Sequence, residues 1–231
     1  LQVSHDILLQ LSSSYMAADA YPHPLADLVC QGESKDLHSY FEQSVQNLLK
    51  ESSEKFKGWL STPGPLNTEL SCKKVNATAP PAAVLHRVLR ERHLWDEDLL
   101  QSRVVEALDK DMEVYHYVMD SMAPHPRRDC MVLQHWHTNL PRGACLLSSL
   151  SVEHDKVPVE GGVKAIVLMS QYLIEPSTMG CSRLTHICRA DLRGRSPEWY
   201  NRVFGHLCAM ELARIRDSFP ALSPNGPEAK I

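Results

Sequence analysis

The feature that most constrains this chain is its last helix-forming segment. Across residues 196–219 the apolar positions Trp199, Val203, Phe204, Leu207, Cys208, Leu212, Ile215 and Phe219 recur at helical spacing. They cover a broad arc of the helix surface, so the helix must lie deep against something apolar. Its start is equally legible. Ser196 is a good capping residue, Pro197 suits a first turn, and Glu198 favours the positive end. Pro220 and the Ser-Pro-Asn-Gly-Pro tail end it.

The partner of that helix is set by what precedes it. Residues 103–108, 113–119, 130–138, 144–152, 163–174 and 183–192 are rich in Val, Ile, Tyr and Trp and are broken by Pro, Gly or charge, so they read as strands. Consecutive strands with short connections favour an antiparallel meander. The amino-terminal third reads as helical, with Ile7, Leu8, Leu11 and Tyr15, then Leu37, Phe41, Val45, Leu48 and Leu49, separated by Pro22 and Pro24. Thr62-Pro63-Gly64-Pro65 stops helix formation. A short strand follows over 70–75, then a helix from Pro80-Pro81 carrying Val84, Leu85, Val88 and Leu89, then a shorter helix around 94–100. This order predicts an α+β fold, a strongly curved antiparallel sheet closed by a long terminal helix. Such sheets can enclose an apolar ligand cavity.

Composition removes several alternatives. No apolar run reaches the ~18–20 residues of a spanning helix. The longest, 163–174, is interrupted by Lys164, Ser170 and Gln171. A net charge of −4 gives no general attraction to nucleic acid or anionic membrane. Seven widely spaced cysteines without a CxxC pair point to reduced thiols in a cytoplasmic chain. The opening residues lack an initiator Met, a basic stretch and a small-residue cleavage site, so the expectation is a piece of a longer protein without a signal peptide. In that setting the Asn76-Ala77-Thr78 sequon reads as chance.

Several segments together resemble a known family. They are His93-Leu94-Trp95-Asp96-Glu97-Asp98, Pro124-His125-Pro126-Arg127-Arg128-Asp129, Ser170-Gln171-Tyr172-Leu173-Ile174-Glu175-Pro176, and Ser182-Arg183-Leu184-Thr185-His186-Ile187 with Asp191-Leu192-Arg193-Gly194. The pattern resembles a START domain, the steroidogenic-acute-regulatory-related lipid transfer fold. The runs from Val88 to Asp98 and Ser196-Pro197-Glu198-Trp199-Tyr200-Asn201 with Phe204-Gly205-His206-Leu207-Cys208 are more specific. They resemble the START domain of the deleted-in-liver-cancer Rho GTPase-activating proteins, leaning towards the second of three paralogues. The resemblance implies a helix-grip fold whose U-shaped sheet grips the last helix over a lipid tunnel. It divides the chain into a helical extension or linker over 1–36, the lipid-binding domain over 37–219 and a tail over 220–231. It also implies an upstream GTPase-activating domain, through which Rho-family GTPases would be partners. No arginine-finger context is present in this chain, which is therefore not read as an enzyme.

The chain departs from the family pattern twice. The family carries a further strand, about fifteen residues, between Cys72-Lys73-Lys74-Val75 and the proline-initiated helix. Where START domains often place a tunnel-facing arginine, this chain has Gln134.

The expected lipid contacts are Val132, Gln134 and Trp136, which alternation puts on one strand face, and Trp199, Val203 and Phe204 on the terminal helix. The ligand class stays open between sterol, phospholipid and fatty acid. Leu140, Pro141, Arg142 and Gly143 form the expected entrance loop, opposite Trp199 and Val203, with an apolar tip suited to brief membrane contact. Trp95 reads as a core anchor and Asp96 as a cap or ion-pair partner. Arg87, Arg90 and Arg92, beside Glu91, read as a solvated face. His135 and His137 share a strand face and His154 adjoins Asp155, but no third ligand stands at a recognised metal spacing. No cofactor is implied. Ser148, Ser149 and Ser151 are strand serines, and Gly161-Gly162 is a turn.

Three readings follow: a lipid-binding or lipid-transfer module, a regulatory interaction domain with a collapsed cavity, and an aromatase-like or cyclase-like enzyme. The last needs more convergent polar groups than Gln134 and His186.

Overall fold

The computed structural model describes residues 62–63, 68–120, 126–154, 162–178, 180–191 and 198–220, with backbone only for 62–63, 68–73, 139, 191 and 198–205. The helices expected before residue 62 lie outside that set.

Nine strands form one sheet: β1 (Thr62–Pro63), β2 (Thr68–Ala77), β3 (Leu99–Asp109), β4 (Met112–Met119), β5 (Arg128–Leu140), β6 (Ala144–Ser151), β7 (Val163–Lys164), β8 (Ile166–Pro176) and β9 (Ser182–Asp191). Their order is β1-β2-β9-β8-β6-β5-β4-β3, antiparallel throughout, with the short β7 pairing in parallel with β5. All six strand segments expected after residue 102 are present. The segment 163–174 divides into β7 and β8. The division follows from backbone pairing: the amides of Val163 and Ala165 donate to the carbonyls of Arg127 and Asp129, both at 2.9 Å. Gly162 permits this approach, because a Cβ there would sit 2.2 Å from the Arg127 carbonyl oxygen.

Strands β4 and β5 are buried on both faces along most of their length, and they bury polar residues such as Glu113, His116, Asp129 and His135 among their apolar ones. Glu113, Tyr115 and Tyr117 occupy one face of β4; Met112, Val114, His116 and Val118 occupy the other. The outer face gathers Met112, Val114, Met131, Leu133, Leu150 and Val152.

On the inner face lie two helices, α1 (Pro81–Arg90) and α2 (Glu198–Asp217). Pro81 opens α1, where its missing N–H costs nothing. Val84, Leu85, Val88 and Leu89 of α1 pack with Leu147, Tyr172, Ile174 and Leu184 of the sheet and Leu212 and Ile215 of α2. In α2 the packing is spent chiefly on β2, β9 and α1.

One expectation is corrected here and one is met. The helix expected around 94–100 is a 3-10 turn, Arg92–Leu94, followed directly by β3. Asp96 diverts the chain: its Oδ1 accepts the Asp98 amide at 3.3 Å and its carbonyl accepts the Leu99 amide at 3.2 Å. Local bonds of this kind compete with helix formation. The extra strand of the family pattern is missing, as expected. A single ten-residue β2 pairs with β9 from Thr68 to Ala77, and residues 78–80 lead straight into α1. No helix among the described residues is long and apolar enough to cross a membrane.

Candidate functional site

The register of the sheet aligns inner-face residues in rows. One row runs Tyr115, Val132, Ser151; the next runs Glu113, Gln134, Ser149, Ser170, Cys188; the third runs Trp136, Leu147, Tyr172, His186. A polar row is thus set between an aromatic, apolar row and one led by Tyr115 and Val132. Val132, Gln134 and Trp136 do share the inner face, as alternation along β5 requires. Gln134 is 7% exposed, and its Oε1 has no hydrogen-bond partner among the described residues.

Arg92 departs from the expected solvated face, and Arg90, though exposed, is held by the sheet. Arg90 reaches down from the end of α1 and donates two hydrogen bonds, 2.5 and 2.9 Å, to the buried Glu113 carboxylate. The Arg92 Nε donates to Asp96 Oδ2 at 2.8 Å, and its guanidinium lies 4.3 Å from the Tyr117 ring centroid. Both reach the sheet because α1 is short: its last turn and the 3-10 turn after it bend onto it. Trp95 is the core anchor expected, its indole N–H donating to the Arg87 carbonyl at 3.2 Å, and Asp96 is the ion-pair partner expected.

Across the sheet, α2 is fastened by Glu211. The Tyr172 hydroxyl donates to Glu211 Oε1, and the other carboxylate oxygen lies 3.7 Å from His186 Nδ1. The His186 ring stacks on Tyr172 at 4.0 Å, and its Nε2 lies 3.0 Å from Ser170 Oγ. Burial holds the His186 imidazole below its usual range and pushes the Tyr172 and Tyr117 phenols well above theirs. Burial also pushes the Cys130 thiol up to about 11. Each shift favours the neutral form. Ser170, His186 and Glu211 resemble a hydrolase triad only in composition. Glu211 is taken by Tyr172, and His186 Nδ1 makes no hydrogen bond that would orient the ring as a base. The cluster is suited to holding a helix and an apolar ligand, not to forming an activated nucleophile.

The remaining sequence candidates divide. Trp199, Val203 and Phe204 lie in the amino-terminal part of α2, and their side chains fall outside the described set. Leu140 belongs to β5 and pairs with Ala144. Pro141–Gly143 is one tight 3-10 turn, with Arg142 and Gly143 at φ +64° and +75°. The side chains that would show whether this loop faces Trp199 and Val203 lie outside the described set, and the helix direction is read from its later residues. Cys208 packs at Ala190, Glu211 reaches Tyr172 and His186, and Leu212 and Ile215 lie with Ile174 and Leu184. The helix therefore runs towards the hairpin end of the sheet, and Trp199–Phe204 lie at the opposite end.

The carboxy-terminal end of α2 is well tied. Arg87 Nη1 donates to the Ser218 carbonyl at 3.0 Å, Thr78 Oγ1 to the Pro220 carbonyl at 2.7 Å, and Arg214 Nη1 to Asp98 Oδ2 at 2.6 Å.

His135 and His137 pack edge to face on the outer side, and His154 bonds Glu106 at 3.0 Å. No metal-holding trio occurs among the described residues. Sequence reasoning missed the Arg90–Glu113 and Tyr172–Glu211 pairs. The available signal was Glu113 standing in an otherwise apolar strand, because a buried carboxylate demands a partner.

The START domain family model matches residues 39–224. Human StAR-related lipid transfer protein 8 is 56% identical over 246 aligned positions, covering the whole chain and 24% of that protein. Rat Rho GTPase-activating protein 7 is 47% identical, covering 94% of this chain and 21% of that protein. The chain thus spans about a quarter of the curated relatives it matches. The solved structure described as the human StarD13 (DLC2) lipid transfer and protein localization domain has a TM-score of 0.64 and 56% identity, covering 77% of this chain and 97% of that one. Human StAR-related lipid transfer protein 13 is 51% identical over 245 aligned positions, against 56% for protein 8, which does not favour the second paralogue. The 246 positions exceed the 231 residues here by fifteen, the length missing before α1 by the family pattern. By family model, curated relatives and fold alike, the chain belongs to the START domain family, in the branch shared with StAR-related lipid transfer protein 8 and Rho GTPase-activating protein 7.

Proposed function

We propose that this START domain holds one lipid molecule between the inner face of its sheet and α2, and that it regulates or localises a parent protein carrying a Rho GTPase-activating domain. One observation carries the reading. The inner face of β4–β6 is lined by the buried Tyr115, Val132 and Leu147 and the half-buried Tyr117 and Trp136, while α2 spends its packing chiefly on β2. An acyl or ring system laid along that face gains roughly 25 cal/mol per Å² of apolar surface buried and needs few polar contacts. Gln134 Oε1, without a partner among the described residues, is one polar contact available to it.

Exchange requires part of the wall to move. The carboxy-terminal end of α2 is the tied end, so the lipid passes at its amino-terminal end, where Trp199, Val203 and Phe204 lie. A transient membrane contact in the cytoplasm belongs to the same step, and the parent's Rho-family GTPases are reached through its upstream domain.

Native mass spectrometry of the full chain after incubation with mixed lipid vesicles tests the proposal. The expected result is a 1:1 lipid adduct. A chain that remains lipid-free across sterols, phospholipids and fatty acids would overturn it and favour a protein-docking domain.

A further inference from the structure

Among the described residues the guanidinium of Arg128 has no counterion. The half-buried Arg87, Arg92 and Arg214 each have a carboxylate: Arg87 pairs with Glu91, Arg92 with Asp96 and Arg214 with Asp98. Arg128 is 8% exposed, yet its Nη1 donates only to the Pro126 carbonyl, at 3.0 Å, and its buried Nε donates to nothing among the described residues. The adjacent Asp129 is no help. Successive side chains on a strand face opposite ways, and Asp129 is taken on the other face by His116 at 3.0 Å. An unpaired buried cation is among the costliest groups a fold can carry, so a buried guanidinium without a carboxylate calls for an anion from outside.

Its position says which anion. Alternation along β5 puts Arg128 on the face of Cys130, Val132, Gln134 and Trp136. It pairs with Met119 and with Val163 at the end of β5 away from the hairpin. Arg128 therefore stands at one end of the apolar face, six residues along the strand from Gln134.

We infer that Arg128 anchors the ligand's headgroup: its guanidinium binds the oxyanion, phosphate or carboxylate, of a lipid whose tail lies along Val132 and Trp136. The inference rests on the lipid-binding reading above and narrows it, setting aside sterols and other lipids with only hydroxyl heads. A planar guanidinium matches either oxyanion with paired hydrogen bonds.

The test uses the full chain and two matched pairs of lipids offered in phosphatidylcholine vesicles: phosphatidic acid against diacylglycerol with the same chains, and oleic acid against oleyl alcohol. Bound lipid is extracted and quantified by mass spectrometry. The wild-type chain is expected to capture at least one oxyanion lipid about tenfold or more over its hydroxyl match, and the pair that discriminates says whether phosphate or carboxylate is preferred. Arg128→Gln is expected to bring that ratio to within about twofold while leaving hydroxyl-lipid capture unchanged. Equal capture within both wild-type pairs overturns the inference and leaves lipid binding standing. So does a preference that survives Arg128→Gln, and so does an equal fall in both members of a pair. Inorganic phosphate alone that abolishes the preference without lipid would mark a free-anion site and equally overturn it. A chain that captures no lipid in any arm, phosphatidylcholine included, fails the lipid-binding reading itself. Should Arg128→Gln not fold, the wild-type ratios decide alone.

Discussion

Tyr172 and Glu211 bear the interaction that joins the sheet to its terminal helix, and it is a hydrogen bond from a buried phenol to a carboxylate. Bonds to charged groups contribute about 1.5–3 kcal/mol, and an acceptor left unpaired costs a similar amount. Tyr172→Phe and Glu211→Gln are each expected to destabilise the chain by about 1–3 kcal/mol in urea denaturation. The double variant should fall well short of the sum, because the two residues share one contact. Full additivity would show that they act independently.

His186 gives the same cluster a pH dependence. Its folded pKa lies below the unfolded value, about 6.5, because burial disfavours the imidazolium more than Glu211 restores it. The unfolded chain then binds the extra proton first as pH falls, so stability is full above about 6.5 and declines below it. Melting temperature should drop between pH 7.5 and 5.5, and His186→Asn should reduce that drop. An unchanged slope in the variant would assign the effect to another group.

Some of these residues were legible beforehand and some were not. Val132, Gln134 and Trp136 follow from period-two alternation alone, since any strand through them gives one shared face. Arg92 was misread because charge on a short helix looks solvated until the turn after it, Arg92–Leu94, brings the guanidinium onto the sheet. Arg128 lay inside a recognised motif, yet only its burial and its single carbonyl contact distinguish it from an ordinary surface arginine.

At the scale of elements, α2 matters most. Cys208, Leu212 and Ile215 are buried, with Leu207, Glu211 and Phe219 half-buried beside them, as the apolar arc in the sequence implied. Each buried apolar side chain contributes roughly 1.5–3 kcal/mol, against about 5–15 kcal/mol for a whole domain. Deleting residues 197–219 is therefore expected to abolish cooperative unfolding, measured by circular dichroism on heating. A truncated chain that still unfolds in one sharp transition would make α2 a detachable lid. The direction of the helix was the part that sequence did not carry. Apolar periodicity says that a helix is buried but not which end of the sheet it approaches. The cysteine side chains, hydrogen bonds and ion pairs along α2 set that direction only once β9 and β8 are in register.

For the whole molecule, the order helix, strand meander, apolar helix was enough to give the curved antiparallel sheet gripping a terminal helix, and motif resemblance gave the family. The position of the ligand depends on the rows of side chains across β4–β9, which pairing register creates. The most direct measurement of the central claim is photo-crosslinking with a lipid carrying a diazirine along its chain, followed by peptide mapping. The account predicts that label concentrates on the inner-face residues Val132, Trp136, Leu147 and Tyr172, and on α2. Label confined to outer-face residues such as Met112, Met131 and Leu133 would contradict it.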